Sequence, residues 1–391
     1  MKQNVLHLID SFEQGGTERQ AVQLVRMLHA SGRYGVRLAC LDARGMLRAE
    51  VEGLSLGEIP EFPLTSFYDR NALGQLRRFA RLLRESDISV VHAHGFYTNM
   101  FGVAGGALAR TPARIASRRE TEGFRTPAQK RVERQLFRLA DRVVANAEAI
   151  RRALIDDEGV PSAKVVTLYN GLDMARVAPR RGLGRTEALA EFNLPHARRF
   201  VTIVANVNHP VKDHPMFLRA ARRVRDAVPD AAFVIAGEGK LLESYRDMAA
   251  SLRLDGDVFF TGRCERVADL LSVSDVCVLS SKAEGFSNSI LEYMAAARPV
   301  VATDVGGARE ALTEGETGYL VASGDDAALA ARVTLLLREP ERARQMGERG
   351  RRVVEQKFSA EAQLERVETL YDELLSRPAS GREKYKHEWA G

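Results

Sequence analysis

The chain has 391 residues, of which 45% are hydrophobic and 28% charged, and its formal net charge is +5. This length is too great for one ordinary core and predicts two domains of a globular protein. No apolar run approaches the roughly 20 residues needed to cross a bilayer, and MKQNVLHLID predicts a strand rather than a signal peptide. The cysteines, Cys40, Cys264 and Cys277, are scattered and predict neither disulfides nor a zinc site, so we expect a cytoplasmic protein.

Short β-branched runs alternate along the chain with longer segments of helical period, such as Thr17–Ala30 and Leu73–Glu85. The predicted strands of the first half are Val5–Asp10, Val36–Asp42, Ser89–His94, Arg114–Ser117, Arg142–Ala145 and Val165–Leu168. Those of the second half are Phe200–Ala205, Ala232–Ala236, Val258–Thr261, Val276–Ser280 and Pro299–Thr303. This alternation predicts parallel sheets that are covered on both faces.

The break between the two halves is predicted near Asn170-Gly171. The predicted fold is therefore α/β, with two doubly wound Rossmann-like domains facing across a cleft, because ligands of such sheets bind beyond the carboxyl ends of the strands. The predicted domains are residues 1–170 and residues 171–357. Residues 358–391 are expected to form a helix that returns toward the first domain, followed by a polar tail.

Two motifs of the first half follow predicted strands. Gly15 and Gly16 let the backbone approach a ligand closely, and Thr17 is expected to cap the next helix with Gln20 as its capping-box partner. An ordinary βα turn is the alternative. In SVVHAH, alternation places His92 and His94 on one face at the strand's carboxyl end. They are either functional or simply packed, and two histidines without a third ligand nearby do not predict a metal site.

Two cations are predicted at the corresponding edge of the second half. Lys212 lies in VANVNHPVKDHP, which follows the first strand of that half, and its ammonium can neutralise a phosphate. Arg263 follows VFFTG at the same edge. Each is alternatively an ordinary surface side chain.

The stretch Ser280–Gly307 carries the most specific pattern of the chain, SSKAEGFSNSILEYMAAARPVVATDVGG. Glu284 and Glu292 flank the turn GFSNS, which leads into the helix-like run Ile290–Ala297. The first N–H groups of a helix lack internal partners and bind anions. A carboxylate on each side suits a ligand with both phosphates and hydroxyls, such as a sugar nucleotide. Two solvated glutamates are the alternative interpretation.

Basic residues are concentrated between Arg110 and Arg152, with 12 Lys/Arg against 5 Asp/Glu. Helical spacing predicts one apolar and one basic face, formed by Val132, Leu136 and Ala140 and by Arg131, Arg134 and Arg138. The segment is either a solvated face or a contact with anionic lipid, where each basic residue contributes about 1 kcal/mol. Nucleic acid is not an expected partner, because few aromatics and no binding motif accompany these residues.

The motif AEGFSNSILEYMAAARPVVATDVGGARE resembles the donor-site signature of the retaining glycosyltransferases of family 4, which have the GT-B fold. GGTE, VVHAHG, LYNGLD and the KDHP lysine precede it in the family's order. The resemblance covers nearly the whole chain, and the ordered set is far more specific than any one motif.

The resemblance implies transfer of a sugar from a UDP- or GDP-linked donor with retention at the anomeric carbon, without a metal ion or other cofactor. It assigns the first domain to the acceptor and the second to the donor. Glu292 is expected to bind the ribose, Glu284 the transferred sugar and Lys212 the diphosphate. His94 is expected to face the reacting sugar. Further donor contacts are expected from Gly15, Gly16, Gly285, Phe286, Ser287, Asn288 and Arg263.

The chain departs from the family where an arginine normally precedes the lysine, since it has Asn206-Val207-Asn208 there. We expect Asn208 at the donor, with Arg263 or another residue supplying the second charge. The acceptor is expected to be a saccharide or a lipid-linked intermediate of an envelope polysaccharide, at the inner face of the membrane. A GT-B sugar-nucleotide epimerase and a non-catalytic nucleotide-sugar-binding protein are the alternatives.

Overall fold

The computed structural model describes residues 2–67, 69–120 and 126–376. These residues form two compact units. The first contains the described residues up to Gly171 and those from Ala360 onward, and the second is Leu172–Ser359. Residues 121–125 of the basic segment and the predicted polar tail from residue 377 lie outside the described residues.

The first unit is built on a six-stranded parallel sheet in the order β2-β1-β3-β4-β5-β6. Its strands are β1 (Asn4–Ile9), β2 (Gly35–Cys40), β3 (Ile88–Ala93), β4 (Ala113–Arg118), β5 (Arg142–Ala145) and β6 (Val165–Thr167). Its helices are α1 (Gly16–Ser31), α2 (Arg48–Glu52), α3 (Arg70–Glu85), α4 (Phe96–Ala109), α5 (Pro127–Leu139), α6 (Glu148–Arg152) and α15 (Ala360–Leu375).

The second unit has a parallel sheet of its own in the order β12-β11-β10-β7-β8-β9. Its strands are β7 (Arg199–Val204), β8 (Ala231–Ala236), β9 (Val258–Gly262), β10 (Val276–Leu279), β11 (Val300–Thr303) and β12 (Gly318–Val321). Its helices are α7 (Arg185–Glu191), α8 (His214–Ala227), α9 (Leu242–Ser251), α10 (Val267–Val273), α11 (Asn288–Ala295), α12 (Ala308–Ala311), α13 (Asp326–Arg338) and α14 (Pro340–Lys357).

Both sheets confirm the predicted α/β class with two doubly wound parallel sheets. Strand β12 was not predicted, because GYLV is short and contains a single β-branched residue, Val321. No helix within the described part of the chain is long and apolar enough to cross a membrane.

Each sheet has a switch point, where consecutive connections leave in opposite directions. In the first sheet β1 lies between β2 and β3, and in the second β7 lies between β8 and β10. The loops after β1 and β3 therefore flank one crevice, and those after β7 and β10 flank another. Such crevices are the usual ligand sites of open α/β sheets.

The predicted capping box at Thr17 and Gln20 is wrong. Helix α1 begins one residue earlier, with Gly15 as its N-cap and no side-chain capping bond. Gln20 instead points away from the helix end, where its amide accepts a bond from the Gly171 N–H at 3.2 Å and donates one to the Gly171 carbonyl at 2.9 Å. Gln20 therefore holds Gly171, where the chain leaves the first unit, against α1.

The predicted apolar face of α5 is also wrong. Val132 is 40% exposed, whereas Glu133 and Phe137 are fully buried. Glu133 turns inward because it forms an ion pair with Arg118, a buried residue at the end of β4. The same guanidinium donates to Glu158 at 2.6 Å. The charge of Arg118 is thus neutralised inside the unit, and α5 is rotated relative to the predicted pattern.

Helix α4 follows the end of β3 and packs closely against α3 at Gly105. A Cβ at Gly105 would lie 2.4 Å from Cδ1 of Phe79, a buried aromatic of α3. Because Gly105 and Phe79 are both buried in a densely packed core, the space between α3 and α4 leaves no room for a methyl group.

We therefore predict that Gly105→Ala lowers the free energy of unfolding by about 1–3 kcal/mol, through overpacking. Gly74→Ala is the matched control on α3, since nothing lies within 4 Å of its Cβ position. There the gain in helix propensity should raise stability by about 0.5–1 kcal/mol. Urea unfolding of both variants checks the pair, and a stabilising Gly105→Ala would contradict the close packing.

Candidate active site

Two predicted site residues meet at the switch point of the second sheet. Lys212 lies in the loop after β7, and its Nζ donates to Oε1 of Glu284, in the loop after β10, at 2.5 Å. Ser281 Oγ donates to the same carboxylate oxygen at 2.6 Å. The side chains of Lys212 and Glu284 are only 20% and 12% exposed. A shielded cation and anion therefore stand in direct contact where a ligand of this sheet would bind.

The two loops are also joined by hydrogen bonds to backbone carbonyls. The Lys282 N–H donates to the Val211 carbonyl at 2.7 Å, and Ser280 Oγ donates to the Lys212 carbonyl at 2.8 Å. These bonds fix the position of Lys212 relative to Glu284 independently of the ion pair. The site is consequently preorganised before any ligand binds.

Helix α11 begins directly after this loop. Its N-cap, Ser287, makes no side-chain capping bond. The N-terminus of a helix favours anions through its first N–H groups. Ser289 Oγ donates to the Val204 carbonyl at 2.9 Å, which holds the helix against the end of β7. The side chain of Phe286 is buried against Phe358, with ring centroids 5.1 Å apart, so Phe286 can reach a ligand only through its backbone.

The second half of the Ser280–Gly307 stretch supports the first. Gly306 has a positive φ of 55°, and a Cβ there would lie 2.2 Å from the Glu284 carbonyl oxygen. The Gly307 N–H donates to the Gly285 carbonyl at 2.7 Å. The turn after β11 thus lies directly beneath the loop that carries Glu284 and Gly285.

Glu292 lies one turn into α11 and is partly exposed. Burial raises the pKa of the Cys264 thiol to about 11, and the negative charge of Glu292 contributes to the same upward shift. The carboxylate is therefore close to the loop after β9, which also contains Arg263. The Arg263 guanidinium forms long ion pairs with Glu238 at 3.8 Å and Glu265 at 4.0 Å.

Asn208 has a structural bond in addition to its predicted place at the donor. Its Oδ1 accepts from the Lys240 N–H at 3.2 Å and so ties the loop after β7 to the loop after β8. A Cβ at Gly239 would lie 2.5 Å from the Asn208 nitrogen, so the loops touch. This contact places Lys240, an exposed cation that the sequence analysis missed, next to Asn208. The segment GEGK after a buried strand was the available signal.

In the first unit, a cavity of about 220 Å³ lies at the switch point of the sheet. It is lined by Ile9, Asp10, Thr17, Glu18, His94, Gly95, Phe96, Tyr97, Glu120 and Gln129. Burial raises the pKa of Asp10, Glu18 and Glu120 above the ordinary carboxyl value. The structure therefore brings His94 together with three carboxylates that the sequence analysis did not single out.

Gly15 and Gly16 are close to one of these carboxylates. A Cβ at Gly15 would lie 2.1 Å from Oε2 of Glu18. The Glu18 side chain thus occupies the N-terminal end of α1, where a negative charge is favourable. Any anion that approached Gly15 from that side would have to displace it.

His94 belongs to a buried cluster with a member that was not predicted. His7 Nδ1 lies 2.8 Å from His94 Nε2, and His92 is the third histidine, so the expectation of a pair without a third neighbour is wrong. Burial lowers the pKa of His7 to about 3 and holds those of His92 and His94 well below 6.5, with Arg119 adding to each shift. The available signal was the buried strand VLHLI, in which His7 pairs in register with His92.

We predict that Gly306→Ala lowers stability more than Gly315→Ala does. Both residues have positive φ, and an alanine costs about 1–2 kcal/mol in that conformation. Only Gly306 has backbone within 3 Å of its Cβ position, so its variant should lose a further ~1–3 kcal/mol. Urea unfolding measures the difference, and equal losses would mean that the turn does not support the Glu284 loop.

Comparison with known proteins covers both units. Residues 14–176 match the family model described as "Glycosyltransferase Family 4", and residues 184–353 match the one described as "Glycosyl transferases group 1". The two matches follow each other without overlap and together span most of the chain.

Among curated relatives, N-acetyl-alpha-D-glucosaminyl L-malate synthase of Bacillus anthracis is 30% identical over 57% of this chain and 57% of its own length. D-inositol 3-phosphate glycosyltransferase of Thermobifida fusca is 28% identical over 87% of this chain and 77% of its own. The crystal structure of Anabaena HepE with UDP matches with a TM-score of 0.83 at 19% identity, over 95% of this chain and 100% of that one. The chain belongs to the family 4, group 1 glycosyltransferases and has the GT-B fold.

Proposed function

We propose that the protein is a retaining glycosyltransferase that moves a sugar from a UDP- or GDP-linked donor to a saccharide or lipid-linked acceptor of the cell envelope. The observation that carries the donor half is the Lys212–Glu284 ion pair at the switch point of the second sheet. UDP is bound by the Anabaena protein HepE, which supports a nucleotide donor of this kind.

Lys212 and Glu284 are proposed to contact different parts of the donor. Lys212 turns to the diphosphate, and Glu284 accepts hydrogen bonds from hydroxyls of the transferred sugar. The N–H groups of Phe286, Ser287 and Asn288, at the N-terminus of α11, complete the proposed anion site. Breaking the glycosidic bond places negative charge on the leaving diphosphate, and preorganised donors stabilise that charge most in the transition state. We expect this set, with Arg263, to suffice without a metal ion.

Glu292 is proposed to hold the nucleotide. Its position one turn into α11 separates it from the anion site by about the length of a helical turn, roughly 5 Å. A carboxylate there can accept bonds from both ribose hydroxyls. Further donor contacts are proposed at Gly15 and Gly16, which lie beside Glu18. Another is proposed at Asn208, which lies beside Lys240.

The acceptor half rests on the cavity of the first unit. Asp10, Glu18 and Glu120 offer carboxylate oxygens, which suit the hydroxyl donors of a saccharide. His94 lines the same cavity and is proposed to contact the reacting sugar. Carboxylates disfavour a phosphate inside this cavity, so a lipid-linked acceptor would present its saccharide part here.

Contact with an anionic membrane is proposed through α5 alone. Within the basic segment Arg114 pairs with Asp141 at 3.0 Å and Arg142 with Glu373 at 2.7 Å, so much of the charge is neutralised internally. Arg131 and Arg138 are exposed on α5. They lie near the exposed side chains Val132 and Leu139, and this mixture suits a lipid interface.

A panel of UDP- and GDP-sugars with saccharide acceptors tests the reaction. We expect release of nucleoside diphosphate that depends on the acceptor and persists in EDTA. The anomeric ¹H coupling constant of the product should match that of the donor. Acceptor-independent epimer formation would support an epimerase instead, and binding without turnover would support a non-catalytic protein.

We predict that Glu292→Ala weakens UDP or GDP binding about 10–100-fold, because hydrogen bonds to a charged group contribute roughly 1.5–3 kcal/mol. Isothermal titration calorimetry measures the change. Glu355→Ala removes an exposed carboxylate from α14 and should leave the affinity unchanged. Unchanged affinity in Glu292→Ala would remove the ribose assignment.

We predict that Lys212→Ala lowers kcat at least about 100-fold with a smaller change in KM, since charge on the leaving group peaks in the transition state. Lys282→Ala is the matched control, because Lys282 lies in the loop after β10 and its side chain is 58% exposed. Steady-state kinetics with the best donor and acceptor checks both. Full kcat in Lys212→Ala would contradict the assigned role.

A further inference from the structure

The buried histidines of the first unit form a continuous chain of hydrogen bonds. His7, His92 and His94 are at most 1% exposed, and Tyr371 of α15 is fully buried among them. All six ring nitrogens are within hydrogen-bond distance of a partner. We call this series of hydrogen bonds the histidine relay. It joins, in order, Arg119, His94, His7, Tyr371, His92 and Ser117.

One bond sets the direction of the whole relay. A guanidinium has donors only, so Arg119 Nη2 must donate to His94 Nδ1, 3.3 Å away. His94 then carries its proton on Nε2 and donates to His7 Nδ1 at 2.8 Å. His7 in turn carries its proton on Nε2 and donates to Tyr371 Oη at 3.3 Å.

The remaining hydrogen bonds of the relay run in the same direction. The Tyr371 hydroxyl donates to His92 Nδ1 at 2.8 Å, and His92 Nε2 donates to Ser117 Oγ at 3.0 Å. Ser117 is itself held by Asn99, whose amide bonds both backbone groups of Ser117 at 2.9 and 3.0 Å. A charged imidazolium at His7 or His94 would place an N–H against another donor, so the neutral form is required at both positions.

A metal site is the other arrangement that three histidines suggest, since their ligand atoms lie within 4.8 Å of one another. The rings do not suit it. His92 and His94 are stacked at 4.3 Å between centroids, and His7 and His94 at 5.1 Å with an angle of 12° between planes. The lone pairs of the His92 and His94 rings, at 4.3 Å, point side by side rather than converge. The His7 and His94 rings are nearly parallel and joined by a direct hydrogen bond, which a metal would have to break.

We infer that His7 and Tyr371 are positioning residues that hold His94 in the neutral tautomer with its proton on Nε2. His94 then offers Nδ1 as a hydrogen-bond acceptor, with Arg119 holding that position in the free protein. In the proposed transfer reaction, on which this step rests, His94 accepts a bond from a saccharide hydroxyl and does not act as an acid. The final helix α15 thereby becomes part of the machinery that orients the site.

The first test needs no activity. Full-length protein with ¹⁵N-labelled histidine rings is studied by long-range ¹H–¹⁵N correlation at pH 7, with assignments from single His→Asn variants. We expect His7, His92 and His94 each to show a protonated Nε2 and an unprotonated Nδ1. A proton on Nδ1 of His94, an imidazolium in the cluster, or loss of the N–H signals on addition of Zn²⁺ would overturn the proposal.

The second test uses Tyr371→Phe, which removes only the hydroxyl. We expect shifted ring ¹⁵N signals in His7 and His92, a broadened His94 signal, and kcat reduced roughly tenfold at unchanged donor KM. Tyr34→Phe is the matched control. The Tyr34 hydroxyl donates to Asp372 of the same helix at 2.9 Å, and its ring packs edge-on against Tyr371, yet it lies outside the relay.

The outcomes separate the two proposals. Equal effects of Tyr371→Phe and Tyr34→Phe on the histidine signals would overturn the relay. Absence of any transferase activity in the wild type would refute the proposed function but leave the tautomer result to decide the relay. If Tyr371→Phe does not fold, the wild-type tautomers decide alone.

Discussion

The contact between Lys212 and Glu284 is the interaction on which the proposed donor site depends. It joins the loops after β7 and β10, the two strands that meet at the switch point of the second sheet. An ion pair that is mostly shielded from water needs further hydrogen bonds to be tolerated. Ser281 supplies one to the carboxylate. The Ser280 hydroxyl and the Lys282 N–H each donate to a backbone carbonyl of the other loop and hold the two loops in register. Two opposite charges are thus held in direct contact, and the proposed donor would separate them.

The first unit has side chains of a different chemical kind at the switch point of its sheet. Its crevice carries carboxylates and His94 instead of a cation beside a helix N-terminus. The same sheet geometry therefore presents two kinds of chemistry, one suited to phosphate and one to hydroxyl groups. Buried polar side chains of this kind persist only where each finds a partner, and the histidine relay provides those partners.

The sequence was sufficient for whatever depends on local pattern. The alternation of strands and helices predicted both sheets, and the Ser280–Gly307 pattern predicted the loop that carries Glu284. It failed where the outcome depends on a partner far along the chain. The face of α5 was mispredicted because Arg118 draws Glu133 inward. His7 was missed because its neighbours, His92 and Tyr371, lie 85 and 364 positions away. The predicted cap at Thr17 is a local exception, because Gly15 is the N-cap of α1 and the helix begins at Gly16.

The most direct measurement of the account is the selectivity of Glu284→Gln for a sugar nucleotide over the corresponding nucleoside diphosphate. Calorimetry gives both dissociation constants for the wild type and the variant. If Glu284 holds the sugar while restraining Lys212, the variant binds the diphosphate at least as tightly as the wild type. It then also loses the additional affinity that the sugar provides. An equal loss of affinity for both ligands would contradict this division of roles between Lys212 and Glu284.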